Sequence, residues 1–151
     1  MEKFGILRGH SRIKTDGSGR FKLPSDFSKI IKEQFGKEMF FTSVDGECGL
    51  LFPMKVWEEK ERRLLNAPTM DPAIKKYLAL TSYYGKVVNL DSKDRILIPQ
   101  ILRESASLEG ELILLGKLNH IEVWNSKKLE EKFKLNPFTD EDSEALARWG
   151  I

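Results

Sequence analysis

The chain predicts an α+β fold in which one β-hairpin/helix/β-hairpin unit is written twice, with helices between the copies. Three observations carry this. The stretch DGSGRFKLP at residues 16–24 returns as DSKDRILIP at residues 91–99, with Asp, Arg and Pro at the same spacing. The correspondence then continues: Leu23 falls on Ile98, Phe27 on Leu102, Gly36 on Gly110, Glu38 on Glu111, Phe52 on Trp124 and Trp57 on Leu129. The offset shrinks from 75 to 72, as small indels in loops would require. The third observation is size. Each copy has about 45 residues, too few to hold a good core alone, so the copies should pack on each other, on another chain, or on both. The expected divisions are residues 7–55 for the first repeat, 56–83 for the helices between, 84–129 for the second repeat and 130–151 for a helical tail.

Each element has its own signal. A strand over residues 6–14 enters the first turn, and a short strand over 21–23 leaves it. Pro24 then stops the ladder, because it has no N–H to donate. SDFSKIIKEQFG places Phe27, Ile30, Ile31 and Phe35 on one helical face, with Ser25 expected to cap and Gly36 to terminate. MFFTSV and GLLF read as strands joined around Asp45-Gly46, a strong turn signal. Two helices should follow, over residues 53–66 and 71–84. The second opens with an Asp cap and Pro72 and carries Ile74, Tyr77, Leu78 and Thr81 at helical spacing. The second copy repeats the scheme with strands over 86–90 and 96–98, a helix, and ELILLG paired with HIEVW. A helix over 126–134 ends before Pro137. The tail TDEDSEALARWGI has a capping-box start from Thr139 to Asp142 and an apolar pair, Leu146 and Trp149.

Bulk properties narrow the function. A 40% hydrophobic and 32% charged composition fits a globular protein, and no apolar run approaches the ~20 residues of a membrane span. MEKFGILRGHSRIK is broken by charge before a signal-peptide core can form, so a cytoplasmic protein is expected. Cys48 is the lone cysteine, which leaves no internal disulfide and no Cys-based metal cluster within these residues. Net charge is only +2, but residues 1–37 hold nine Lys/Arg against four Asp/Glu, an excess suited to a polyanion. His10 and His120 belong to no evident triad or metal site, and no P-loop, dinucleotide fingerprint or zinc motif occurs. Glu58/Glu59 and Asp140/Asp142 read as helix surface and helix-start charges. No enzyme, cofactor, metal or small-molecule substrate is expected.

The repeated turn is the candidate site. Asp16 and Asp91 can each accept hydrogen bonds from backbone N–H groups just ahead, fixing the loop. Gly19 supplies left-handed geometry, and Asp94 stands in its place in the second copy, adding a negative charge beside Arg95. Arg20 and Arg95 leave these turns with anchored stems. Their planar forks can face a phosphate or a base edge, or fold back onto the aspartate. Lys22 and Lys93 flank the two arginines. If residues 6–14 form a strand, Arg8, His10, Arg12 and Lys14 share one face and join Arg20 and Lys22 in a basic patch on one hairpin. The first turn should be the stronger anion binder.

Together, the two D-x-x-G-R-x-x-x-P-like elements, LRESASLEGELILLG followed by HIEVW, and Pro53-x-x-x-Trp57 resemble the MraZ family. This is the duplicated branch of the AbrB-like (SpoVT-AbrB) swapped-hairpin DNA-binding proteins. The likeness runs from about residue 7 to 129, although Ser18, Asp94 and Arg12 depart from the family's usual residues. It implies two AbrB-like units forming a swapped-hairpin-type barrel. The implied function is a nucleoid-associated transcriptional regulator at the promoter of the division and cell-wall gene cluster. The implied assembly is a ring-shaped homo-oligomer, commonly of eight subunits, on double-stranded DNA with repeated boxes. By position, the resemblance carries over Asp16, Gly19, Arg20, Asp91 and Arg95 as motif residues, Arg20 as a DNA contact and Arg8 as a basic position near it.

Overall fold

Strands of the two copies interleave. In the computed structural model, which describes residues 6–151, β1 (His10–Lys14) leads through the first turn into β2 (Arg20–Lys22). α1 (Ser25–Gln34), β3 (Glu38–Thr42) and β4 (Gly49–Pro53) complete the first copy, and α2 (Met54–Leu65) and α3 (Pro72–Tyr83) follow. The second copy repeats the order as β5 (Lys86–Asn89), β6 (Arg95–Leu97), α4 (Gln100–Ser105), β7 (Glu111–Gly116) and β8 (Ile121–Asn125). α5 (Ser126–Leu135) and α6 (Asp140–Ala147) come last.

Six strands form one antiparallel sheet in the order β1-β7-β8-β4-β3-β5, while β2 and β6 pair in a separate ribbon. β1 lies on β7 of the second copy, with Arg12 opposite Ile113, and β5 lies on β3 of the first, with Val88 opposite Met39. Each copy's first strand therefore extends the other copy's hairpin. Among the described residues the strands do not close into the expected barrel. β1 and β5 remain the sheet edges, and the ribbon strands are only three residues long, cut off by Pro24 and Pro99.

The alternation of side chains along the strands divides the interior in two. On one face, Met39, Phe41, Leu51, Leu112, Leu114 and Val123 meet Phe21 and Ile96 of the ribbon, Phe27 and Ile31 of α1, and Leu102 of α4. On the other face, Ile113 and Trp124 pack with Leu129 of α5. Phe40 and Phe52 hold Trp57 of α2 at ring distances of 4.7 and 5.1 Å. The ribbon thus rides on the main core, with every second side chain pointing away from it.

Helix boundaries follow from caps, with one correction. Ser25 does not cap α1. It is the first helical residue, and Pro24 is the N-cap, its carbonyl accepting from the N–H groups of Phe27 and Ser28 at 3.0 and 2.9 Å. Pro53 and Pro99 occupy the same place before α2 and α4. The pyrrolidine ring fixes φ near −55° at each of these starts, and none of the three carries a side-chain cap bond. Gly36, at φ +89°, ends α1 as expected and donates to the Ile31 carbonyl at 3.0 Å. Asp71 caps α3 through a 2.8 Å bond from Ala73 N–H. Of that helix's apolar face only Thr81 is buried, and Leu78 is 42% exposed. Thr139 and Asp142 form both bonds of the capping box on α6. Residues 130–151 are all exposed, Leu146 and Trp149 among them. Among the described residues, no helix is long and apolar enough to cross a membrane.

Candidate nucleic-acid interface

Both turns are built by one aspartate in one way. Asp16 Oδ1 accepts from Ser18 N–H at 2.8 Å and from Arg20 N–H at 3.0 Å, and Asp16 N–H closes the loop onto the Arg20 carbonyl at 2.8 Å. Asp91 Oδ1 accepts from Lys93 N–H and Arg95 N–H at 2.8 and 2.9 Å, and Asp91 N–H donates to the Arg95 carbonyl at 3.1 Å. The bonds favour the charged carboxylates. The Ser18 hydroxyl bond, followed by those from the Arg20 and Ser18 backbone, holds Asp16 down at about 2, and the Arg95 backbone N–H leads in lowering Asp91. Gly19 and Asp94 both adopt positive φ, at +79° and +59°. Their carbonyls cross to the other copy: Gly19 accepts from Ile98 N–H at 3.0 Å and Asp94 from Leu23 N–H at 2.8 Å. The turns are thereby locked back to back through the ribbon, where Lys22 lies opposite Arg95 and Arg20 opposite Leu97.

The side chains break this symmetry. Arg95 folds back, its Nε donating to Asp91 Oδ2 at 2.9 Å. Arg20 does not reach its aspartate. Its Nη1 donates to the Ser18 hydroxyl at 3.1 Å, and that hydroxyl donates to Asp16 at 2.7 Å. The guanidinium of Arg20 is therefore positioned but not neutralised, whereas that of Arg95 is paired. Asp94 carries its own cation, Lys32 of α1, at 2.9 Å. The added acid is thus bound across the copies and not left beside Arg95 alone.

Arg8, His10, Arg12 and Lys14 are all exposed, and His10, Arg12 and Lys14 alternate with less exposed residues along β1, as expected. The structure does not merge them with the ribbon residues into one patch. Arg12 sits opposite Ile113, on the sheet face that carries α5, and donates to Glu130 of α5 at 3.2 Å, while Lys14 lies 3.9 Å from Glu111. Arg20 and Lys22 flank Phe21, whose ring enters the main core on the other side of the sheet. The physical reason is the pairing of β1 with β7 and of β2 with β6, a partition that local alternation cannot reveal. The ribbon instead collects Arg20, Lys22, Lys93 and Arg95. Lys3, part of the amino-terminal basic excess, lies outside the described residues.

Two cations beside the turns escaped the sequence reading. Lys32 reaches Asp94, and Arg103 of α4 lies against Gly19. Both come from the copy opposite the turn they serve, so no spacing rule within one copy points to them. No group of three or more His, Cys, Asp or Glu residues able to hold a metal occurs among the described residues.

Comparison with known proteins places the chain among one group of relatives. A family model described as "MraZ protein, putative antitoxin-like" matches residues 86–149. A protein named Transcriptional regulator MraZ from Acidobacterium capsulatum is 42% identical over 97% of this chain and all of its own length. Its namesake from Koribacter versatilis is 37% identical over 97% of this chain and all of its own length. That from Hydrogenovibrio crunogenus is 34% identical over 81% of both chains. With likeness of this degree from end to end, and with the doubled turn in place, the chain belongs to the MraZ family.

Proposed function

We propose that the chain is a sequence-specific, DNA-binding transcriptional regulator whose two repeats, residues 7–55 and 84–129, present the β2/β6 ribbon to double-stranded DNA. The observation that carries this reading is the state of Arg20. It is held by a rigid Asp16 turn, points away from the core and is left unneutralised by any carboxylate among the described residues. A guanidinium so prepared suits a phosphate or the acceptor edge of a guanine. Lys22, Lys93 and Arg95 add phosphate contacts, with Arg95 the weaker because Asp91 competes for it. Arg8, Arg12 and Lys14 act from the other sheet face, raising the local potential or touching DNA that passes a neighbouring subunit.

The names of the relatives, transcriptional regulators, support the regulator class. The finer reading is a nucleoid-associated regulator in the cytoplasm that acts at the promoter of the division and cell-wall gene cluster. It works there as a ring of identical subunits, eight being the expected number, on repeated boxes. A net charge of +2 per subunit gives few phosphate contacts, and linked copies raise affinity through effective concentration. A second reading, an antidote that neutralises a partner protein, draws on the wording of the family description. The test is a gel-shift titration on the organism's own division-cluster promoter. Arg20→Ala should weaken binding by roughly tenfold or more with oligomer size unchanged, and Arg95→Ala less. Wild-type affinity in both variants sinks the ribbon assignment. Co-purification of a stoichiometric small protein in place of DNA favours the antidote.

A further inference from the structure

The first turn is covered by a side chain from the opposite copy. A Cβ at residue 19 would come within 2.5 Å of Arg103 Nη1 and crowd its Cζ and Cδ, so the Arg103 side chain lies directly over the bare glycine and would have to shift if residue 19 carried a side chain. Its Nε is buried and has no hydrogen-bond partner among the described residues. The charge accounting around the two turns is uneven. Arg95 is paired with Asp91, Lys32 with Asp94 and Arg12 with Glu130, whereas Arg20 and Arg103 have no carboxylate partner among the described residues. The repeat sharpens the point. Asp94 stands in the place of Gly19, and Ser28, small and buried, stands in the place of Arg103. Where the turn lacks a side chain the helix lays an unpaired cation over it, and where the turn carries an acid the helix cation, Lys32, is taken up by that acid.

We propose that Arg103 is a second arginine of the first turn's anion site, contacting a phosphodiester oxygen beside Arg20. The site is then composite, with one arginine from each repeat, and the inference rests on the DNA-binding reading above. An unneutralised guanidinium whose stem is already packed loses little side-chain freedom on binding. Its unmet Nε–H is costly where it lies, and a small rotation would offer Nε–H and an Nη–H as a fork to one phosphate. The second turn has Ser28 in that place, and its own helix cation, Lys32, is already paired with Asp94. This makes the two turns unequal in kind as well as in degree.

The test compares the full-length wild type, Arg103→Met, Arg103→Lys and Arg20→Ala on a fluorescent promoter duplex across a salt series. The Arg Nε–H NMR signals are also followed on addition of inorganic phosphate. Arg103→Met should weaken duplex binding by about tenfold and lower the slope of log K against log salt by about 0.9. Its melting temperature should stay close to wild type, and Arg103→Lys should keep the slope. Wild-type affinity and slope in Arg103→Met overturn the proposal. So does a loss of affinity that tracks a fallen melting temperature at unchanged slope, which would make Arg103 a mere cover for Gly19. If the wild type binds no duplex but the Arg103 signal shifts saturably with phosphate, the anion site stands and the DNA reading falls. No duplex binding and no shift overturns both.

Discussion

Asp94 illustrates how one residue sets the character of a turn. It holds a positive φ of 59° that glycine would adopt without strain, and it draws Lys32 into an ion pair at 2.9 Å. Asp94→Gly should relieve backbone strain of up to about 1 kcal/mol while losing a partly exposed pair worth no more than about that, so stability should change little. Removing the acid and releasing Lys32 should strengthen duplex binding roughly threefold to tenfold. Unchanged affinity in a fluorescence titration would place the second turn away from DNA. Asp16 gives a pH prediction whose sign is fixed by its bonds. Its pKa lies at about 2 in the fold against an ordinary 3.8, chiefly through the Ser18 hydroxyl. A depressed carboxylate stabilises the fold fully above the ordinary value and loses that contribution as pH falls through the folded one. The Asp16 carboxyl carbon should titrate near 2 by NMR, with the Ser18 and Arg20 amides losing protection over the same range. A midpoint at the ordinary value would mean that the turn is open in solution.

Among the elements, those governed by local chemistry were legible in the sequence. The Asp71 cap, the Thr139–Asp142 box, the Gly36 stop and the Asp45-Gly46 hairpin all act within a few residues, and each stands where its pattern put it. Ser25 misled because a serine at a helix start normally caps, while Pro24 already supplied the needed φ and carbonyl. Partnerships between strands were not legible. That β1 joins β7, and so turns Arg12 toward Glu130, depends on which surfaces bury the most apolar area together. Arg103 was missed for the same reason, since it reaches Gly19 from the other copy. The α6 box allows a clean test of an isolated element. α6 has no buried residue, and eight residues are too few for a helix to persist in water unaided. Thr139→Ala should cost α6 about 1 kcal/mol of local stability, read as faster amide exchange at Asp142 and Ser143, with the global melting temperature unmoved. A fall in that temperature would instead reveal that α6 packs on another copy.

At the scale of the whole molecule, the exchange of first strands decides how the protein unfolds. Without β5, β3 of the first copy loses one neighbour, and without β1, β7 of the second becomes an edge. The central β4–β8 pair and the β2–β6 ribbon also cross between copies, and Gly19 and Asp94 give their carbonyls to the opposite chain segment. The main core draws Phe21, Phe27 and Ile31 from one copy and Ile96, Leu102 and Leu112 from the other, so neither owns a complete interior. Single domains with one shared core unfold as a unit, and half-domains of about 45 residues bury too little surface to persist alone. Denaturant unfolding followed by tryptophan fluorescence in a Trp149→Phe background and by far-ultraviolet dichroism should therefore give one coincident transition, although Trp57 packs on Phe40 and Phe52 of the first copy and Trp124 belongs to the second. Separate peptides spanning residues 6–55 and 84–129 should each be unfolded, and mixing them should restore β-sheet signal. Two resolved transitions, or a stably folded single peptide, would show that each repeat holds its own core. The back-to-back locking of the turns would then be a contact between two domains, and Arg20 and Arg103 would no longer be held in fixed register by a common interior.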